Sequence, residues 1–141
     1  MPWRAAPLIL LAAAPPAAPR EQALMDLIER TVKLPPGARP MGQYARVYAY
    51  LTPSKVKGVW DVIGRLPGLN DRCERWIAAN TSRPCTAREA KDSVPPEVGK
   101  RRWLGDWRNL PHLVDGGCGV VEIEYDIADR RYTNVHCNGG G

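Results

Sequence analysis

Phenylalanine is absent from the 141 residues, so a core must be filled by tryptophan, tyrosine and aliphatic side chains. Other absences narrow the field further. The longest apolar stretch, Ala5–Ala14, falls far short of the ~20 residues that span a bilayer, which excludes a transmembrane helix there. The four cysteines and two histidines are widely spaced, with no C-x2-C or H-x3-H pair, and this excludes a zinc-finger-like centre. No metal or other cofactor is expected. Charge is not strongly one-sided: 20 Lys and Arg against 15 Asp and Glu leave +5, too little for a polycationic tail. A catalytic signature is also missing, so no residue is assigned a catalytic role.

What is present begins with the first twenty residues, MPWRAAPLILLAAAPPAAPR. One early cation, Arg4, then an apolar run and a small-residue tail have the shape of a signal peptide or leader over residues 1–20. Ala12-Ala13-Ala14 fits an A-x-A cleavage pattern, but Pro15 would follow the cut, so cleavage near Ala18 is the alternative. Loss of the leader removes Arg4 and Arg20 and lowers the net charge from +5 to +3. Residues 21–141 then form a single α+β domain, periplasmic or secreted. In an oxidising compartment Cys73, Cys85, Cys118 and Cys137 form two disulfides rather than a metal site.

From Arg20 to Lys33 the apolar residues Leu24, Leu27, Ile28 and Val32 recur at helical spacing. Pro19 suits the first helical position, Asp26/Arg30 and Glu29/Lys33 form i,i+4 pairs, and Pro35-Pro36-Gly37 ends the element. Its apolar stripe is expected to cover a sheet. Residues 43–63 read as a hairpin turning at Thr52-Pro53-Ser54-Lys55, with Leu51 opposite Val56, Val47 opposite Trp60 and Arg46 opposite Asp61. Residues 118–137 read as a second hairpin with an Asp126–Asp129 loop, placing Glu124 opposite Arg131, Val120 opposite Val135 and Cys118 opposite Cys137. That register brings one cysteine pair together, leaving Cys73–Cys85 as the other. Asp71 could cap a short helix with Cys73, Trp76 and Ile77 on one face, and Thr86-x-x-Glu89 has capping-box form at the start of another. Residues 64–117, rich in Pro and Gly, read as a long insertion with only local structure.

The expected architecture is α+β: an N-terminal amphipathic helix packed on an antiparallel sheet of two hairpins, with a disulfide-tied irregular insertion. This order resembles the cystatin-like and other small α+β superfolds in topology, which implies no function. The runs RPMGQYARVYAY, DGGCGVVEIEYD and HCNG are similar to small exported bacterial proteins of unknown function. The resemblance covers most of the mature chain and implies no activity.

Two functional readings follow. In the first, the protein is an exported, non-enzymatic binding or envelope-associated module. Lys100, Arg101, Arg102 and Arg108 surround Trp103 and Trp107, which would share a helical face and could meet an anionic envelope polymer or a protein partner. The alternative is a small secreted hydrolase such as a nuclease, using Glu122 or Glu124 as base, His136 as acid and Arg131 on phosphate. The expected register argues against it, setting Glu122 and Glu124 on the disulfide's face and His136 on the other with Val121, Ile123 and Tyr125. A cysteine nucleophile is excluded because His136 and Cys137, adjacent on a strand, point apart. Asp115-Gly116-Gly117, near Asn138-Gly139 and joined by His112 and His136, could make an anion nest, but glycines beside a disulfide more readily answer a steric need.

Overall fold

A computed structural model describes residues 17–65, 73–113 and 115–139. Most of the leader (residues 1–16) and the Asp71 cap lie outside the described residues. Helix α1, Pro19–Thr31, opens with proline at its first turn. Its Leu24, Met25 and Ile28 are buried against the sheet, as the apolar spacing requires. The expected i,i+4 pairs do not form: Asp26 and Glu29 instead hold Arg101 and Arg46, from a different part of the chain.

Strands β1 (Ala45–Thr52), β2 (Lys55–Asp61), β6 (Gly117–Asp126) and β7 (Arg131–Asn138) make the two expected hairpins. Between them lie β3 (Glu74–Ala78), β4 (Thr81–Pro84), α2 (Ala87–Ser93) and β5 (Arg101–Trp103). The insertion is thus more ordered than expected. Its β5 joins the main sheet beside β1, in parallel, giving the order β5-β1-β2-β6-β7. The sheet is therefore mixed rather than built of two antiparallel hairpins alone.

Both registers differ from expectation, and bulges are the reason. In the first hairpin Thr52 pairs with Lys55 as expected, but an irregularity at Leu51 shifts the rest by one, so Tyr50 meets Val56 and Arg46 meets Trp60. One extra residue exchanges which side chains share a face. Asp61 consequently lies opposite Ala45, while the Arg46 guanidinium lies 5.9 Å from the Trp60 ring. In the second hairpin Asp126 pairs with Arg131, which makes Ile127–Arg130 the loop, and Glu124 meets Asn134, not Arg131. A further irregularity between Gly117 and Val121 resets the pairing at the open end, where Gly117 meets Asn138. Gly117 accommodates this with φ +52°, a region that favours glycine. The Cys118–Cys137 disulfide therefore forms, with Cα atoms 4.6 Å apart, because the bulge restores the pairing there.

Cys73–Cys85 also pairs as expected, but it closes a hairpin rather than joining two helices. β3 and β4 turn at Asn80, which takes φ 62°, and Cys85 N–H donates to Cys73 C=O across the open end at 3.0 Å. An isolated two-stranded hairpin is marginal, so the bridge supplies the missing constraint. The Thr86–Glu89 capping box is present at the start of α2.

Each sheet face has its own apolar cluster. On the α1 side, Tyr44, Tyr48, Val56, Trp60, Val121 and Ile123 pack with the helix. On the other side, Val47, Ala49, Val59 and Val120 are covered by Leu104 and Leu110, from the segment that follows β5. With no phenylalanine to use, tyrosine and tryptophan fill the main core and bring polar groups with them. Trp60 Nε1 donates to the Tyr48 hydroxyl at 2.9 Å, and that hydroxyl donates to Glu29 Oε1 at 3.0 Å.

Candidate functional site

Arg101, Arg102 and Trp103 form β5 rather than a helix, and Trp107 opens a separate 3-10 turn, Trp107–Asn109. The two tryptophans therefore do not share a helical face. Trp103 is half-buried, stacked on Tyr48 at 6.5 Å and edge-on to Tyr50 at 4.7 Å between centroids. Arg101 donates to Gln22, Asp26 and Glu29, which ties β5 to α1. Arg102 donates to the carbonyls of Val94 and Lys91 at the end of α2. Arg108 pairs with Asp106 at 3.2 Å and lies 5.7 Å from the Trp107 ring, which is 38% exposed. Lys100 is exposed.

The tertiary fold gathers a different set of cations. A cleft of about 790 Å3 opens where α1, α2, β5 and the residues after β2 converge, and Arg65, Arg88, Lys91, Arg101 and Arg102 line it. Among the described residues Asp92 is the only acid in its lining. Met25 and Trp103 contribute an apolar part of the wall. Arg65, Arg88 and Lys91 are exposed, and among the described residues none of the three enters an ion pair. Arg101 and Arg102 are held in place by the contacts above. The combination of fixed guanidinium groups with free ones suits an anionic ligand. Arg65, Arg88 and Lys91 were not legible as site residues, although Arg88 and Lys91, three apart behind a capping box, do lie on one helical side.

A second polar group lies on the sheet face remote from α1. Glu122 pairs with His136 across β6 and β7, with Oε2 3.2 Å from His136 Nε2, and Lys57 Nζ approaches Oε1 at 3.3 Å. Asn134 Oδ1 lies 3.0 Å from His136 Nδ1. This corrects the expectation that Glu122 and His136 occupy opposite faces: the shifted register brings them onto one face. Arg131 is not part of the group. It lies at the turn with Asp129, five residues along β7 from His136, or about 16 Å at strand spacing.

The glycine cluster is a tight junction. Asp115 (φ 58°) and Gly139 (φ 82°) sit side by side, and a Cβ on Gly139 would come within 3.0 Å of Asp115 Cα. Asn138 Nδ2 donates to the Leu113 carbonyl beside it, and His112 is exposed. Among the described residues no three His, Cys, Asp or Glu side chains gather as metal ligands, and no helix is long and apolar enough to cross a membrane. The chain matches no family model, no curated protein and no solved structure.

Proposed function

We propose that the protein is an exported, non-enzymatic binding module whose basic cleft takes an anionic ligand, in keeping with an envelope-associated role. The observation that carries this reading is the convergence of Arg65, Arg88, Lys91, Arg101 and Arg102 on one cleft with a single lining acid among the described residues. Arg101 is already balanced by Asp26 and Glu29, but Arg65, Arg88 and Lys91 enter no ion pair among the described residues, and an anionic polymer would supply their counter-charge while releasing its own counterions. Export is supported by the four cysteines, all paired in two disulfides, a pattern that persists in oxidising compartments.

The test is titration with single-stranded RNA, an acidic glycan and neutral dextran at several salt concentrations. Binding to the anionic polymers should weaken steeply with salt, and the Arg65→Ala/Arg88→Ala/Lys91→Ala variant should weaken it further and flatten the salt slope. Equal binding by wild type and variant, or equal binding of dextran, overturns the reading.

A hydrolase remains the second reading because Glu122 and His136 stand 3.2 Å apart, within reach for shared acid–base work. Glu124, next along β6, and Lys57, already engaged by Glu122, leave the surroundings poorly suited to a phosphodiester. Turnover of RNA that is lost in both Glu122→Gln and His136→Ala would favour the enzyme over the module.

A further inference from the structure

A second cleft of about 530 Å3 adjoins the basic one and is built differently. Arg88 and Asp92, one turn apart on α2, line both. The aromatic walls of the two also meet, because Trp103 of the basic cleft stands edge-on to Tyr50 of the second at 4.7 Å between centroids. In charge they differ. Apart from Arg88, the guanidinium groups lining the second cleft are already paired, Arg75 with Glu89 at 2.9 Å and Arg108 with Asp106 at 3.2 Å. Among the described residues its lining holds three carboxylates against three guanidinium groups, so it is electrically balanced. Trp107, 38% exposed, shares this lining with Asp106 and Asn109. Tyr50 adds a hydroxyl that has no hydrogen-bond partner among the described residues.

We propose that the two clefts take consecutive units of one acidic glycan chain, an acidic sugar in the basic cleft and an uncharged one in the second; this rests on the anion reading and names its ligand. The carboxylate or sulfate of the first sugar meets Arg65, Arg88 and Lys91. The next ring lies on the exposed Trp107 indole, whose electron-rich face suits the C–H groups of a sugar. Its hydroxyls donate to Asp92 and Asp106, since a carboxylate has acceptor sites for more than one donor. Asn109 accepts from Arg75 through its oxygen, so its NH2 group supplies donors to the same ring. Each cleft lies within the roughly 300–1,000 Å3 of a small-ligand site, room for a sugar ring. A single-stranded nucleic acid fits less well. It carries a charge on every nucleotide and needs a groove that is basic along its length, whereas the second cleft would set a phosphate among Glu89, Asp92 and Asp106.

The experiment titrates the full chain at low salt, by calorimetry, with a hyaluronan hexasaccharide, in which every second sugar carries a carboxylate, with a uridine hexanucleotide, and with inorganic tripolyphosphate, which tests the basic cleft alone. The glycan should bind about tenfold more tightly than the hexanucleotide. Trp107→Ala should weaken the glycan by about tenfold and leave tripolyphosphate unchanged, whereas Arg65→Ala/Lys91→Ala should weaken both. If the Trp107 variant does not fold, the Trp107 indole N–H resonance of the 15N-labelled wild type decides: the glycan should move it and tripolyphosphate should not. Tripolyphosphate binding with no response to the glycan, or glycan binding unchanged in Trp107→Ala, overturns the proposal and leaves the anion reading standing. Equal or tighter binding of the hexanucleotide assigns the groove to single-stranded nucleic acid and overturns it as well. Binding of neither the glycan nor tripolyphosphate, or glycan binding unchanged in Arg65→Ala/Lys91→Ala, removes the anion reading and the proposal with it.

Discussion

Glu29 is the residue whose loss should be felt most widely. Its Oε1 accepts from Arg46 Nε at 2.8 Å and from the Tyr48 hydroxyl at 3.0 Å, and its Oε2 accepts from Arg101 Nη1 at 3.0 Å. The Glu29 and Arg46 side chains are 11% and 8% exposed, so the pair is largely out of water. Replacing Glu29 with alanine strands the Arg46 charge, for which a cost of about 3–5 kcal/mol is expected. Arg101 keeps Asp26 and Gln22 and contributes little to that loss. Against a total stability of roughly 5–15 kcal/mol, the variant would be close to unfolding. Glu29→Gln keeps one side-chain oxygen and should lose about half as much. Removing both charges, as Glu29→Leu with Arg46→Leu, should recover most of the stability, because neither charge then remains buried and unpaired. Urea unfolding followed by tryptophan fluorescence, with the disulfides intact, measures each variant. A cost below about 1 kcal/mol for Glu29→Ala, or a double variant as unstable as the two single losses added, would refute the reasoning.

Burial, and after it the Glu29 carboxylate, raise the Tyr48 phenol well above its ordinary value. The unfolded chain then ionises first as pH rises past ~10, so stability should fall above that pH, and the fall should be shallower in Tyr48→Phe; identical alkaline slopes would count against the buried network. Glu89 is held at about 2, first by its hydrogen bonds from Arg83 and next by the Thr86 backbone N–H. Its contribution to α2 should be complete above its ordinary 4.5 and be lost as pH falls toward about 2, and carboxyl titration by NMR near 4.5 would contradict this. Non-reducing peptide mapping should find Cys73–Cys85 and Cys118–Cys137, and replacing the second pair by alanine should cost about 3 kcal/mol in urea unfolding. A Cys73–Cys118 peptide would mean that the second hairpin is paired differently.

Local features were legible in the sequence because the forces behind them act over a few residues. The 3.6-residue recurrence of Leu24 and Ile28 defines α1, Pro53-Ser54 turns the first hairpin, and Thr86 with Glu89 caps α2. The cysteine pairs followed from chain proximity and a facing position on two strands. Bulges were not legible, because they depend on how a twisted strand meets its neighbours, and one extra residue reverses the period-two alternation of faces. That reversal set Arg46 beside Trp60 and Glu29, and the shifted second register put His136 beside Glu122. The same holds for Glu74–Ala78, where the helical pattern yields to a hairpin closed by a disulfide. Only the tertiary structure decided that β5 enters the sheet edge in parallel, since its strand is three residues long and carries no periodic signal of its own. That placement draws Arg101 to α1 and Arg102 to the end of α2, and it gathers Arg65, Arg88 and Lys91 around them. A cleft made by segments distant in sequence is a property of their packing, which no single segment encodes.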